Sequence, residues 1–373
     1  MKRIFKFRIF PTKGQKSKLN KTLEGCKLAY NLCLQTRIDE YIYNNKTLSL
    51  YDTFRLAKDW KKNDPLINIV HAHIIQQVCE RVDLAFKAFW RRCKSGENPG
   101  YPRFKSEDRY KSFTFTNSDR GFKLIDNKTL KISGIGNVRI KKHRAIPGTI
   151  KRLTVKREAS GFWFANFHIE IDEGKALPVS DRAIGIDVGI ESFATLSNGE
   201  VIENPRFLKQ DRKRLKKLVK QLCQSSIGSE RRAKKTKAHA KVWNKIGNRR
   251  NNFAHQTSRR LVERFGIICV EDLDIKNMVS DGINDFLNEA TYDVAWGNFL
   301  AMINYKAEEA GRVFVQVDPR GTSQDCSQCG QKVFKDLKVR IHDCPHCGLK
   351  IHRDLNAAIN ILRRGLASLA DAV

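Results

Sequence analysis

The sequence lacks the long apolar segments that mark membrane and secreted proteins. It has no run of eighteen consecutive apolar residues, so nothing in it predicts a membrane-spanning helix. Met1 is followed by KRIFKFRIF, which is too short and too charged for the apolar core of a signal peptide. Six cysteines are scattered rather than paired, as is typical of reduced thiols: Cys26, Cys33, Cys79, Cys93, Cys223 and Cys269. We therefore expect a cytoplasmic location and no membrane partner.

Acidic residues are too few to balance the basic ones. The chain has 40 Asp and Glu against 70 Lys and Arg, which gives a formal net charge of +30. Such a charge attracts polyanions, and nucleic acid is the commonest of these partners. A basic soluble protein without such a partner is the alternative. The 373 residues, of which 41% are hydrophobic, predict two or three domains with real cores.

Four further cysteines have the spacing of a metal site. Cys326 and Cys329 form one CxxC pair, Cys344 and Cys347 form a second, and fourteen residues separate the pairs. Each CxxC turn directs two sulfurs to one ion, and the glycine after each pair lets the backbone turn back around the metal. A redox or disulfide pair is the alternative, although two matched pairs are hard to explain that way. We predict one structural zinc ion.

Three acidic residues follow or begin segments with a buried pattern. Asp187 follows the apolar run Ala183 to Ile186, and Glu271 follows FGIICV, so both runs are typical of buried strands. Asp354 lies in the opening turn of a predicted amphipathic helix, HRDLNAAINILRR. Taken alone, such an aspartate is more often an N-cap than a catalyst. Buried elements are thus predicted to present three carboxylates.

The N-terminal half alternates between strand and helix patterns. Residues 2 to 10 predict a strand, and the stretches from 13 to about 43 and from about 69 to 92 predict amphipathic helices. Period-two segments from 113 to 171 predict a small antiparallel barrel to which the first strand adds. One barrel face is a candidate for stacking bases and binding phosphates, although exposed lysines also protect strand edges from aggregation. Its residues are Lys151, Arg152, Lys156, Arg157, Phe162 and Trp163.

The C-terminal half predicts alternating strands and helices, with one strongly basic segment. Between Lys209 and Arg250 there are sixteen basic residues and two acidic ones, an excess that a phosphate backbone would relieve. A solvated, charged helix pair is the alternative. A hairpin is predicted from Phe193 to Ile202, a helix from Leu287 to Ala310, and a strand from Val313 to Val317.

Four strings in this half resemble the TnpB proteins, which are transposon-encoded relatives of the compact type V CRISPR effectors. They are GIDVGIESFATLSNG, VEDLDIKNM, TSQDCSQCG and CGLKIHRDLNAAINI, in the order expected for three nuclease motifs and a zinc ribbon. The resemblance implies a RuvC-like nuclease with an RNase H fold, in which Asp187, Glu271 and Asp354 are the catalytic acids. His352 departs from the family, because many relatives have an aspartate before the Arg-Asp pair.

The resemblance also implies a domain plan, a multidomain α+β fold. An N-terminal β-barrel, the wedge domain, would comprise residues 1–11 and 109–180, with a helical recognition domain inserted at 12–108. The RuvC-like nuclease domain would comprise 181–322 and 350–373, interrupted by the zinc ribbon at 323–349.

The function so implied is an RNA-guided DNA endonuclease that cuts next to a short flanking motif. Its partners would be a guide RNA from the transposon end and double-stranded DNA, and a monomer is favoured. Carboxylate oxygens suit Mg²⁺, and two such ions at the three acids would neutralise their charge, activate a water and stabilise the leaving oxygen. An inactive nucleic-acid-binding regulator and a DNA-strand transferase are the alternatives.

Overall fold

The structure is a computed structural model that describes residues 2–116, 121–171, 176–274, 295–336 and 339–371. The chain divides into two compact units, one ending at Asp172 and the other beginning at Glu173. No helix in the described residues is both long enough and apolar enough to cross a bilayer.

The N-terminal unit is built on one antiparallel sheet of seven strands. Its strands are β1 (Lys2–Phe10), β2 (Ser112–Phe115), β3 (Phe122–Leu124), β4 (Thr129–Ile132), β5 (Gly136–Lys141), β6 (Thr149–Arg157) and β7 (Trp163–Glu170). They lie in the order β2-β6-β7-β1-β5-β4-β3, so the first strand joins the sheet, as predicted, and it does so in the middle. The period-two pattern buries alternate side chains of β7, from Trp163 to Ile169.

Four helices lie in sequence between β1 and β2. They are α1 (Lys13–Asn44), α2 (Leu50–Asn63), α3 (Pro65–Asn68) and α4 (Ala72–Lys94). The first begins where predicted, because Thr12 and Gln15 form a capping box. The predicted start of the other long helix at residue 69 is wrong. Asp64 caps the separate short helix that Pro65 begins, and His71 caps α4. The pattern also failed to identify α2.

The C-terminal unit contains a five-stranded sheet with the order β10-β9-β8-β11-β12. Its strands are β8 (Ala183–Val188), β9 (Ser192–Leu196), β10 (Val201–Glu203), β11 (Ile267–Glu271) and β12 (Val313–Val317). The predicted hairpin is β9 and β10, whereas β8, β11 and β12 run parallel. Among the described residues of this unit, the helices α5 (Phe207–Cys223), α6 (Glu230–Arg264) and α7 (Trp296–Glu309) come before β12. The first third of the helix predicted from Leu287, residues 287–294, lies outside the described residues.

The last elements are a small hairpin, β13 (Ile341–Asp343) with β14 (Lys350–His352), and the helix α8 (Arg353–Ala370). Helix α8 packs against the sheet at two glycines. A Cβ at Gly185 would lie 2.1 Å from the carbonyl oxygen of Ala358, and one at Gly365 would lie 2.3 Å from Sγ of Cys269. Only glycine permits so close an approach, so the backbones of α8 and β8 are nearly in contact.

Candidate active site and metal centre

Asp187 and Glu271 lie side by side on neighbouring strands, and their side chains are on the same face of the sheet. Ile186 and Val270 are register partners in the parallel pair of β8 and β11, and each acid is the next residue. Neighbouring strands lie about 4.8 Å apart and alternate residues share a face, so the two carboxylates are adjacent. This is also the face of Gly185 and Cys269, which α8 covers.

Asp354 comes to the same place from the first turn of α8. It is not the N-cap. His352 holds that position, and its Nδ1 accepts a hydrogen bond from the backbone N–H of Asp354 at 3.3 Å. The same nitrogen lies 3.8 Å from Oδ2 of Asp354. The histidine that departs from the family pattern therefore caps the helix and leaves the aspartate at the sheet.

The surroundings of Asp187 disfavour its charged form. Burial raises the pKa of its carboxyl well above the ordinary value, repulsion from Glu271 and Asp354 raises it further, and the positive charge of Arg353 opposes the shift. Burial also raises the pKa of Glu271, against a hydrogen bond from Thr322 and the charge of Arg364.

Three such carboxylates are unfavourable without a cation. Two full charges at the ~4.8 Å strand spacing repel by about 3 to 4 kcal/mol if the effective dielectric constant is near 20. A divalent ion that prefers oxygen ligands relieves this repulsion, so the donor set fits Mg²⁺. The repulsion among the three carboxylates is therefore relieved either by protonation or by a bound cation.

The second predicted cluster comes together as well. Sγ atoms of Cys326, Cys329, Cys344 and Cys347 all lie within 4.8 Å of one another. Sulfurs of different pairs approach to 3.5 Å and 3.6 Å, which is far longer than a disulfide bond. A tetrahedral zinc with bonds of ~2.3 Å needs sulfurs about 3.8 Å apart, so the four thiols fit a closed zinc site.

The two cysteine pairs have matching backbone turns. The N–H of Gly330 donates to the carbonyl of Cys326 at 2.8 Å, and the N–H of Gly348 donates to the carbonyl of Cys344 at 2.9 Å. Both glycines have positive φ, 77° and 76°, a conformation that favours glycine. As predicted, each glycine lets the backbone turn back after its cysteine pair.

The basic segment forms the antiparallel helices α5 and α6. Their shared apolar cluster is small and consists of Leu208, Leu215, Val242 and Ile246. Both acidic residues of the segment pair within it: Asp211 lies 3.3 Å from Arg249 and 4.0 Å from Lys245, and Glu230 lies 3.3 Å from Lys234. The outer face of α5 exposes a run of four cations, Lys213, Arg214, Lys216 and Lys217.

One predicted member of the barrel face is wrong. Trp163 is 3% exposed and lies in the core, because its position in β7 has the inward phase. The aromatic residues of the outer face are instead Phe162 and Phe164, with Phe10 from β1. The guanidinium of Arg8 lies 3.6 Å from the ring centre of Phe162 and 4.8 Å from that of Phe10, and Nζ of Lys6 lies 4.2 Å from Phe164.

Known protein families match three segments of this chain. Family models described as "Helix-turn-helix domain", "Probable transposase" and "Cas12f1-like, TNB domain" match residues 1–46, 166–281 and 296–361. A Streptomyces pristinaespiralis protein named "Putative RNA-guided DNA endonuclease" is 34% identical over 378 residues, covering 99% of this chain and 91% of the relative. The chain belongs to the TnpB family. The resemblance identified in the sequence is therefore confirmed.

Two further likenesses cover more than nine-tenths of the chain. An Escherichia coli K12 protein named "Putative RNA-guided DNA endonuclease InsQ" is 25% identical over 99% of this TnpB chain and 94% of the relative. A solved Cas12f1 complex with guide RNA and target DNA superposes with a TM-score of 0.61 over 93% of this chain and 82% of that one, at 16% identity. The second likeness shows a common fold, a mixed α+β architecture with a barrel-like sheet.

Proposed function

We propose that this TnpB protein is an RNA-guided DNA endonuclease, transposon-encoded, that cleaves target DNA beside a short flanking motif by metal-dependent hydrolysis of a phosphodiester bond. The observation that carries the proposal is geometric: register places Asp187 and Glu271 side by side, and Asp354 lies in the first turn of the helix that packs on β8. Its endonuclease relatives support nuclease activity, and their names supply the guide RNA and the DNA target.

The three acids are proposed to hold two Mg²⁺ ions. Such ions supply charge neutralisation, an activated water and stabilisation of the leaving oxygen. The protein contributes the rest: β8 and β11 fix two carboxylates side by side, and α8 brings the third. Asp187 must lose its proton before it can bind a cation, so protons compete with metal at this site.

The four cysteines are proposed to bind one structural zinc ion. Four thiolates fill a tetrahedral shell and leave no position open for water or substrate. The ribbon is connected at once to α8, because β14 ends at His352 and the helix begins at Arg353.

Two surfaces are proposed to contact nucleic acid. The exposed cations of α5 suit phosphates, and the Arg8, Phe10 and Phe162 cluster suits stacked bases or a sugar-phosphate backbone. The domain plan from the sequence remains our proposal, with the wedge on the seven-stranded sheet and the recognition helices between β1 and β2. We also propose that the protein is a monomer located in the cytoplasm, where its cysteines stay reduced.

The test is cleavage by protein stripped of RNA, to which the copurifying RNA is returned with matched and mismatched DNA targets and Mg²⁺. Cutting of the matched target alone is expected. Equal cutting of both targets, or full activity without RNA, contradicts guided cleavage. Alanine at Asp187, Glu271 or Asp354 should abolish cutting and preserve binding. Asp272→Ala is the matched control, because that neighbour leaves the other face of the strand and contacts Gln316.

Strand transfer is a second candidate, favoured by the family model described as "Probable transposase" over residues 166–281. The same reaction, supplied with DNA that has free 3′-hydroxyl ends, distinguishes the two activities. Hydrolysis yields shortened fragments, whereas transfer yields joined products longer than either substrate.

A further inference from the structure

Glu271 accepts a hydrogen bond from a threonine that the sequence motifs left without a role. Oγ1 of Thr322 lies 2.5 Å from Oε1 of Glu271, and the threonine is 3% exposed. The same hydroxyl lies 3.0 Å from the carbonyl oxygen of Pro319. The hydroxyl proton therefore sits between two acceptors, of which an ionised carboxylate is the stronger.

Thr322 belongs to a segment that α8 holds by three side chains spaced four residues apart. Asn360 donates to the carbonyl of Thr322 at 2.9 Å and to that of Asp325 at 2.7 Å. Asn356 donates to the same Asp325 carbonyl at 2.8 Å and accepts from the N–H of Ser327 at 2.9 Å.

Arg364 completes the set. It donates to Oδ2 of Asp325 at 2.7 Å and to the carbonyls of Asp318 and Arg320. Residues at intervals of four lie on one helix face, so Asn356, Asn360 and Arg364 form a polar ladder along α8. Both asparagines are buried, so truncating either side chain would leave its hydrogen-bond partners in this segment unpaired.

One helix thus orients two of the three acids by different routes. Asp354 lies in the first turn of this helix. Through the ladder, the helix also fixes the backbone of Thr322, whose side chain hydrogen-bonds to Glu271. The same segment continues into Cys326, the first cysteine of the ribbon.

We infer that Thr322 is a positioning residue, which fixes the Glu271 carboxylate for divalent-metal binding, and that the Asn356, Asn360 and Arg364 ladder holds Thr322 in place. This inference rests on the proposed function. A glutamate has three side-chain torsions, and without this donor its carboxylate samples orientations that do not face Asp187 and Asp354. Loss of comparable outer hydrogen bonds weakens metal binding about 10- to 100-fold.

The experiment measures Mn²⁺ binding to the full-length, zinc-containing, RNA-free protein by electron paramagnetic resonance of free Mn²⁺. Thr322→Val has the shape of threonine and no donor, and should weaken the Glu271-dependent binding about 10- to 100-fold. Thr322→Ser keeps the hydroxyl and should bind within about threefold of wild type. Thr53→Val is the control, because it removes an equally buried threonine hydroxyl from the N-terminal unit.

A second readout is the Mg²⁺ requirement of cleavage. The half-saturating Mg²⁺ concentration should rise in Thr322→Val while KM for target DNA and the zinc content stay unchanged. Asn360→Leu should move it in the same direction, which keeps the inference testable if the valine variant folds poorly. If Thr322→Val binds Mn²⁺ as the wild type does, the inference about Thr322 is overturned, but the proposed metal site is not. Wild-type binding that is insensitive to Glu271→Ala would overturn the proposed metal site and this inference with it.

Discussion

Asp187→Asn should stabilise the Mg²⁺-free protein at neutral and higher pH. Burial, Glu271 and Asp354 raise the pKa of Asp187, so the folded state holds its proton more tightly than the unfolded chain does. The stability linked to that proton is fully present below the unfolded pKa and is lost as pH rises through the folded pKa. Above that pH the wild type carries an uncompensated buried charge, which the neutral amide lacks.

The size of the gain follows from the site. An ionised Glu271 at strand spacing repels Asp187 by about 3 to 4 kcal/mol at an effective dielectric constant near 20, Asp354 adds to this repulsion, and Arg353 offsets part of it. Partial protonation in the wild type reduces the difference again. We expect a net gain on the order of 1 to 3 kcal/mol, which in a unit of this size raises Tm by roughly 2 to 4 °C per kcal/mol.

The assay is thermal unfolding in buffer without Mg²⁺, between pH 5 and pH 8, with no chelator because a chelator would also remove zinc. The stabilisation should shrink toward pH 5, and saturating Mg²⁺ should stabilise the wild type more than the variant. Asp211→Asn is the matched control. That buried carboxylate is paired with Arg249 and Lys245, so its neutralisation should lower Tm. A lower Tm for Asp187→Asn at pH 8, or a gain independent of pH, would refute the reasoning.

Three further results are expected. Purified protein should contain about one zinc ion per chain. The Cys326→Ser variant should lose this zinc, and the Cys223→Ser variant should retain it. Metal analysis that finds no zinc in protein never exposed to a chelator would contradict the predicted zinc ribbon. Glutamate at Lys213, Arg214, Lys216 and Lys217 should lower the log–log salt slope of nucleic-acid binding by roughly 0.7 to 0.9 per lost phosphate contact, and an unchanged slope would mean a solvated helix face. Gly185→Ala should destabilise by roughly 1 to 3 kcal/mol in denaturant unfolding, because its Cβ would meet Ala358, whereas the unobstructed helical Gly247→Ala should be neutral or stabilising.

Periodicity predicted the sheet-forming segments because each strand has a strong local pattern. The runs before Asp187 and Glu271 are buried strands, and the period-two segments from 113 to 171 join the first strand in one sheet. Where local signals competed, prediction failed. The helix predicted from about residue 69 begins only at Ala72, after the separate short helix that Pro65 starts, and the phase of β7 turns Trp163 inward. The apolar pattern predicted strands β8 and β11, but only the register between them makes Asp187 and Glu271 neighbours.

Thr322 could not be found by pattern, because its role depends on contacts with residues 51 and 38 positions away, at Glu271 and Asn360. Its neighbours in the chain give it the appearance of a turn residue before the first cysteine. The ladder on α8 has a local signal, since Asn356 and Asn360 interrupt the apolar face of the helix with polar side chains that are buried. A buried asparagine needs hydrogen-bond partners, so such an interruption predicts a segment held nearby.

The site is unfavourable for folding in the absence of metal, and the surrounding contacts indicate how the chain tolerates it. Repulsion among the acids tends to separate β8, β11 and the start of α8. Gly185 and Gly365 oppose that separation by letting the helix pack directly on the strands, and the ladder ties the same helix to the segment that holds Glu271. Because none of these contacts uses the side chains of the three acids or a metal, they persist when the acids are protonated. In the proposed metal site, these contacts orient the carboxylates before a cation binds, so binding does not have to order the chain.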